Sequence, residues 1–476
     1  MDIVVALPIA SCLALALASA TLRRPDVDRW APLLASALVL GSGLVLVAAV
    51  LDARTPSAVG GQLRVDALSA FMLTVVGSVG LTATWGGFDR RSDPGRLYPT
   101  LVCLFLGAMS LAVLADNLGV LWVAVEATTI ATAFLVGHHR TRRALEAAWK
   151  YVVLGSVGVA IAFLGIVLLY AATRSAGAPT LSWSVLDSTH PALDPSLVRV
   201  AAALAILGFA TKAGLAPMHS WLPDAHSQAP APVSGLMSGV LLSVAFYAIL
   251  RVQAVAAPVI GPDLMRGLLA TAGLLSLAVA AALMIRQRDL KRMLAYSSVE
   301  HMGVLALAAA AGGRLAISAA LLHVLGHGLA KSSTFVASGR ILTAEGTTAV
   351  TDIRALLTRR PGVAVPFLVG IVALLGLPPF SLFFSEVAIV VAGVQRGLGW
   401  VMAVAVVLLL VVFAAMARLV SAMLLGPTEG GTPDRAPHGP RLPLVLALGV
   451  TAVAGFVAGP LASLLVRAAD VLGAQS

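Results

Sequence analysis

Apolar stretches of about twenty residues, long enough to cross ~30 Å of hydrocarbon as a helix, follow one another almost without pause along this chain. Fourteen are read, near 2–22, 31–51, 65–85, 98–115, 118–137, 149–172, 197–217, 229–256, 263–285, 293–311, 314–342, 363–395, 398–425 and 443–467. Hydrocarbon offers backbone amides no partner, so each span must satisfy its own hydrogen bonds as a helix. The expected fold is an all-α multi-pass membrane protein. Of 476 residues, 59% are hydrophobic and 11% charged, against about 25% charged in soluble domains. That excludes a soluble enzyme and a nucleic-acid binder, whatever the net charge of +10 suggests. Cys12 and Cys103 both lie in apolar runs with no CxxC pair, which offers no thiolate cluster or zinc site. There is no phosphate-binding glycine loop. Neither a metal nor a cofactor is expected in this chain.

The basic residues test the span count. Loops after odd-numbered spans carry twenty: Arg23, Arg24, Arg29, Arg90, Arg91, Arg96, Arg140, Arg142, Arg143, Lys150, Arg286, Arg288, Lys291, Arg292, Arg340, Arg354, Arg359, Arg360, Arg435 and Arg441. Loops after even-numbered spans carry eight: Arg54, Arg64, Arg174, Arg199, Arg251, Arg266, Arg314 and Arg396. Cytoplasmic loops collect Lys and Arg, so odd loops are expected in the cytoplasm and both termini outside. The first run ends in Ala18-Ser19-Ala20, yet Met1-Asp2 supplies no positive n-region. It reads as a first helix rather than a cleaved signal peptide.

Two spans are interrupted. The seventh runs into Ala216-Pro217 and then Pro223, Pro230 and Pro232; the twelfth contains Pro378-Pro379. Proline removes a backbone donor and clashes with the preceding turn, so both helices must break. Breaks at membrane depth survive only inside protein or beside a watery cavity, and matched breaks in two halves suggest a repeat-built transporter. The expected organisation is three N-terminal spans in 1–97, five-helix repeats in 98–256 and 263–425, and a last helix in 443–476.

Ionisable residues inside spans are costly, about 2.5–3.5 kcal/mol each at the bilayer centre, and so mark ion paths or buried pairs. Glu126, Lys212, Glu300, Lys331 and Glu386 all fall within spans or their breaks. Only four of the 32 basic residues are lysine, and the two deepest, Lys212 and Lys331, are among them. Lysine can lose its proton when buried, whereas arginine cannot. His323, His327 and Lys331 recur at i, i+4 and i+8, which stacks them on one helix face. Such a stripe suits stepwise proton transfer; metal binding by the two histidines lacks a third ligand nearby in sequence. His138 and His139, beside Arg140, read as a solvated interface. His219, Asp224 and His226 sit in the first break, as guards of a pore entrance or as partners for freed backbone groups.

The run from Lys212 to Ser227 (KAGLAPMHSWLPDAHS) followed by Pro230–Gly235 (PAPVSG), with Asp289–Ser298 (DLKRMLAYSS) and His323–Lys331 (HVLGHGLAK), resembles the antiporter-like subunits of respiratory complex I, Mrp antiporters and membrane-bound hydrogenases. Val299–Gly303 (VEHMG), Val125–Thr129 (VEATT) and Leu377–Glu386 (LPPFSLFFSE) are most similar to the hydrogenase-4 component F branch. The resemblance implies proton translocation within a respiratory-type oxidoreductase complex. It implies that Glu126 pairs with Lys212, that Lys212 carries the proton in the first broken helix, that His323, His327 and Lys331 form a central relay, and that Glu386 is the terminal carrier. Glu300, His301, His219, Asp224 and Lys150 would be auxiliary. Other membrane and peripheral subunits would hold any iron–sulfur, nickel–iron, flavin or quinone group. Where relatives place Lys or His in the eighth span this chain has Ser238, so water would bridge the two halves. The expected site is a bacterial cytoplasmic membrane; an Mrp-type Na⁺/H⁺ antiporter subunit, or the membrane subunit of an inorganic-carbon uptake complex, is the alternative.

Overall fold

The computed structural model describes residues 1–22, 24–88, 95, 97–177, 179–189, 193–426, 439–456 and 459–474. Arg23, Arg90, Arg91, Arg96 and Arg435, counted above among the odd-loop cations, lie outside the described residues.

The helices are α1 (Asp2–Thr21), α2 (Pro25–Leu51), α3 (Ala67–Gly86), α4 (Leu97–Leu114), α5 (Leu118–Val136), α6 (Arg142–Ser175), α7 (Trp183–Thr189), α8 (Pro195–Lys212), α9 (Trp221–Gln228), α10 (Ala231–Leu236) and α11 (Leu242–Ile260). A π turn, Met237–Leu241, joins α10 to α11. There follow α12 (Asp263–Ile285), α13 (Leu290–Ala311), α14 (Gly313–Glu345), α15 (Leu356–Arg359), α16 (Pro361–Leu374), α17 (Ser381–Gln395), α18 (Gly399–Leu424), α19 (Leu442–Ala454) and α20 (Gly459–Val471). Two short antiparallel strands, β1 (Ser57–Ala58) and β2 (Leu63–Arg64), close the loop between α2 and α3.

Several helices start where a side chain can take up an amide left free at the first turn. Asn117 accepts from the amides of Gly119 and Val120 to start α5. Thr141 does so for α6, Asp194 for α8 and Asp289 for α13. Among the described residues twelve helices are long and apolar enough to cross a membrane, or thirteen if α19 and α20 form one bent span. The expectation of fourteen includes span 363–395. That span is two short helices, α16 with 14 residues and α17 with 15, and neither crosses alone.

Both breaks have the same local chemistry. α8 ends at Lys212 and the chain resumes as α9; α16 ends at Leu374 and resumes as α17. Gly214 (φ +75°) and Gly376 (φ +62°) make the turns, in the left-handed region that L side chains rarely adopt. Beside each broken helix stands one of the two longest helices, α6 (34 residues) and α14 (33 residues). An odd number of crossings separates corresponding helices, so the two five-helix sets, α4–α11 and α12–α18, are inverted with respect to each other. α13 buries nearly every residue, and α11 and α14 bury most of theirs, at the centre of the bundle.

Candidate functional site

Lys212 is the last residue of α8, and burial of that helix end carries its amine into the bundle, fully buried. Its Nζ donates to Thr129 Oγ1 at 2.7 Å and to Tyr151 OH at 2.6 Å. Thr129 Oγ1 in turn donates to Glu126 Oε2 at 3.1 Å, one turn back on α5. Ser156 on α6 donates to the other oxygen of Glu126 at 2.7 Å. Tyr151 OH shares a 2.6 Å hydrogen bond with Thr132. The Glu126–Lys212 pairing that the resemblance implies is not a direct contact: among the described residues no ion pair joins them, and Thr129 bridges the two groups. A threonine hydroxyl both donates and accepts, so the bridge keeps the charges coupled without contact.

In the second half, Lys331 Nζ is fully buried and donates to Leu294 O at 2.7 Å and to Ser297 Oγ at 2.8 Å. One and two turns back, His327 and His323 stack nearly parallel, with ring centroids 6.4 Å apart and planes 11° apart. The one-face stripe read from spacing is thus present. His301 on α13 completes it: its centroid lies 5.0 Å from that of His327 and 5.1 Å from that of His323, and His301 Nδ1 is 3.1 Å from His323 Nε2. His323 Nδ1 meets Ser385 Oγ at 3.0 Å. Glu386 Oε1 is 4.0 Å from His301 Nδ1. A Cβ on Gly376 would collide with the Glu386 carboxylate, so the second break seats that side chain. Glu300, also buried, feels the charges of both Glu386 and Lys331.

The order along the bundle is Glu126, Thr129, Lys212 and Tyr151, then Lys331, His327, His301, His323 and Glu386. Interior members are fully buried, while Glu126 is half-buried and the Glu386 side chain is 19% exposed. Partly exposed carboxylates thus stand at the two ends of a set of buried titratable groups.

Some expected auxiliaries lie elsewhere. Asp224 on α9 binds Lys150 at 3.3 Å and Arg292 at 2.6 Å, and Lys150 also binds Glu146 at 2.6 Å. These form a half-exposed latch that ties α9 to α6 and α13 on the odd-loop side. His219 is half-buried in the first break, away from the lysines' hydrogen-bond partners. His226, read as a pore guard or as a partner for freed backbone groups, is fully buried, and neither ring nitrogen has a side-chain partner. Both ring nitrogens of His327 also lack a partner. Ser238, in the π turn, hydrogen-bonds Ser298 at 2.7 Å. Thr129 and Ser385 were not legible as site residues, because short hydroxyls in apolar helices usually bond their own preceding turn, and Tyr151 was not, because its partners come from other helices.

His301, His323 and Glu386 offer ligand atoms within 4.8 Å of one another. This group contains His323 but not His327, so it is a different set from the two-histidine pair read from spacing. At 3.1 Å the His301 and His323 imidazoles are placed to hydrogen-bond directly.

Residues 115–412 match the family model described as NADH:quinone oxidoreductase/Mrp antiporter, TM. The chain belongs to this family. It is 37% identical over 411 residues to the hydrogenase-4 component F homolog of Methylacidiphilum infernorum, covering 82% of this chain and 86% of that one. It is 33% identical over 430 residues to NADH-quinone oxidoreductase subunit N of Desulforudis audaxviator, covering 86% and 84%. A subunit of the membrane-bound sulfane sulfur reductase, an archaeal respiratory membrane complex, superposes with a TM-score of 0.89 at 26% identity, covering 99% of this chain and 97% of that one. Every residue of the lateral track, from Glu126 to Glu386, falls inside the family match.

Proposed function

We propose that this chain is a proton-translocating membrane subunit of a respiratory-type oxidoreductase complex, of the hydrogenase-4 or NADH:quinone oxidoreductase kind. The observation that carries the reading is the track itself: two lysines and three histidines, fully buried, strung between two carboxylates that reach the surface. Buried titratable groups of both signs persist in a membrane where they move ions. The two ring nitrogens of His327, without a partner, call for exchangeable water partners, which is what proton hopping needs.

Glu126 and Lys212 exchange charge through Thr129; Lys331, His327, His301 and His323 pass the proton on to Glu386. The repeats 98–256 and 263–425 each supply one lysine-centred half, with 1–97 and 443–476 packed around them. Electron transfer belongs to other membrane and peripheral subunits, which hold the iron–sulfur, nickel–iron, flavin or quinone groups. Moving one proton against 100 mV costs about 2.3 kcal/mol, a sum that making and breaking one charge interaction can meet. The complex lies in the bacterial cytoplasmic membrane, odd loops inside and both termini outside.

The test is reconstitution of the native assembly in vesicles, with subunits identified and protons counted per electron. Lys212→Ala is expected to lose pumping while the assembly persists. Wild-type proton yield in that variant refutes the reading. A Na⁺ requirement for pumping would move the chain to the Mrp-type antiporter class.

A further inference from the structure

Among the ring contacts that α9 makes between the two halves, one ring is neither phenol nor imidazole. On the Lys212 side the hydrogen-bonded groups end at Tyr151; toward Lys331 the next ring is His226, outside the order given above, which packs 5.7 Å from Phe335, one turn past Lys331 on α14. Between Tyr151 and His226 lies the indole of Trp221, fully buried, its centroid 4.9 Å from the Tyr151 ring and 6.2 Å from the His226 ring. An indole has one N–H donor and no acceptor. That donor is already committed: Trp221 Nε1 donates to Thr211 O at 2.9 Å. Trp221 therefore cannot accept a proton from one neighbour and hand one to the other. Its apolar rings also occupy the space that water would need.

The Thr211 carbonyl sits in the last turn of α8, directly before Lys212. The tie joins the indole to the helix end that carries the amine. Trp221 itself opens α9, the other side of the same break. Any movement of Lys212 away from Thr129 and Tyr151 that shifts the end of α8 pulls on the indole.

The geometry points to Trp221 as a positioning residue that keeps the Lys212 half and the Lys331 half separate until the end of α8 moves. This rests on the proton-transfer reading. In that reading Trp221 carries no proton; it prevents the two halves from forming one continuous leak through the membrane.

The test uses the assembled complex in sealed vesicles without electron donor, with passive proton influx followed under an imposed pH gradient. Trp221→Ala opens the barrier and is expected to raise influx several-fold. Adding Lys212→Ala to that variant should return influx to the wild-type level, because the leak runs through the track. Trp221→Phe keeps a ring but loses the tie; it is expected to give a smaller leak and a lower proton yield per electron, and it decides the matter if the alanine variant does not assemble. Wild-type permeability in an assembled Trp221→Ala or Trp221→Phe complex overturns the inference, as does a leak that Lys212→Ala leaves in place. Either result is distinct from failure of the parent reading, which would be wild-type pumping by Lys212→Ala alone.

Discussion

Thr129→Val is the sharpest probe of the first half. Valine matches threonine in shape but removes the one hydroxyl that touches both Lys212 and Glu126. The variant deletes a 2.7 Å hydrogen bond from a buried amine and a 3.1 Å hydrogen bond to a carboxylate, leaving Lys212 with Tyr151 and Glu126 with Ser156. Hydrogen bonds to charged groups contribute about 1.5–3 kcal/mol each. Taking about 2 kcal/mol for the lysine side alone, the balance between charged and neutral Lys212 shifts by roughly 30-fold, since ~1.4 kcal/mol is a factor of ten. The shift disfavours the ammonium, so Lys212 takes up protons less readily. Proton yield per electron, measured by a pH-sensitive dye in vesicles against the electron-transfer rate, is expected to fall by about tenfold or more. Thr129→Ser restores the hydroxyl and should recover most of the yield. A wild-type yield in Thr129→Val would mean that Lys212 and Glu126 do not communicate through this bridge.

The remaining expectations concern other parts of the molecule. Glu386→Gln should abolish pumping, and Gly376→Ala should mimic it, because the new Cβ would displace the Glu386 carboxylate; proton yield in the assembled complex checks both. Ser297→Ala leaves Lys331 with only the Leu294 carbonyl and should cut the yield about tenfold on the same reasoning. Asp66, which caps α3, binds Arg251 at 2.6 Å. Burial alone would raise its carboxyl, but Arg251 and the Ser69 amide and hydroxyl outweigh that and hold it below the ordinary range. A depressed folded pKa stabilises above the unfolded value near 4 and loses that contribution as pH falls through it. Asp66→Asn should therefore destabilise the subunit at pH 7 by about 2 kcal/mol, less than the ~3–5 of a fully buried pair because the side chain is 25% exposed, and the difference from wild type should shrink toward pH 3; thermal aggregation in detergent at several pH values measures it.

The spans were legible because hydrocarbon enforces a length and an apolar composition on each helix. The breaks were legible because proline cannot continue one. Lys212, Lys331, Glu126 and Glu386 stood out since each is expensive where it sits, and the His323–His327–Lys331 stripe because helical period alone fixes it. Sequence could not show that His301, from a different helix, closes on His323, nor that Thr129 stands between Glu126 and Lys212. Those are contacts across 22 and 83 residues of chain, set by how α13 and α14, or α5 and α8, pack. The partners of Asp224 were hidden for the same reason: its neighbours in sequence are the break, but Lys150 and Arg292 arrive from α6 and α13 and make it a latch.

The two halves hold their amines in comparable ways. Each half presents one buried amine beside a broken helix, held by hydroxyls or a carbonyl rather than by a direct carboxylate. A direct, fully buried ion pair would fix both charges, and breaking it would cost about 3–5 kcal/mol, more than the ~2.3 kcal/mol needed to move a proton against 100 mV. The Thr129 bridge keeps Lys212 coupled to Glu126 at an energy a transport cycle can reverse. Replacing Thr129 with Asp would convert the bridge into such a pair. The expected result is a complex that assembles and binds its partners but is locked, with Lys212 permanently charged and proton yield lost, and normal pumping in that variant would show that reversibility at this amine does not limit transport.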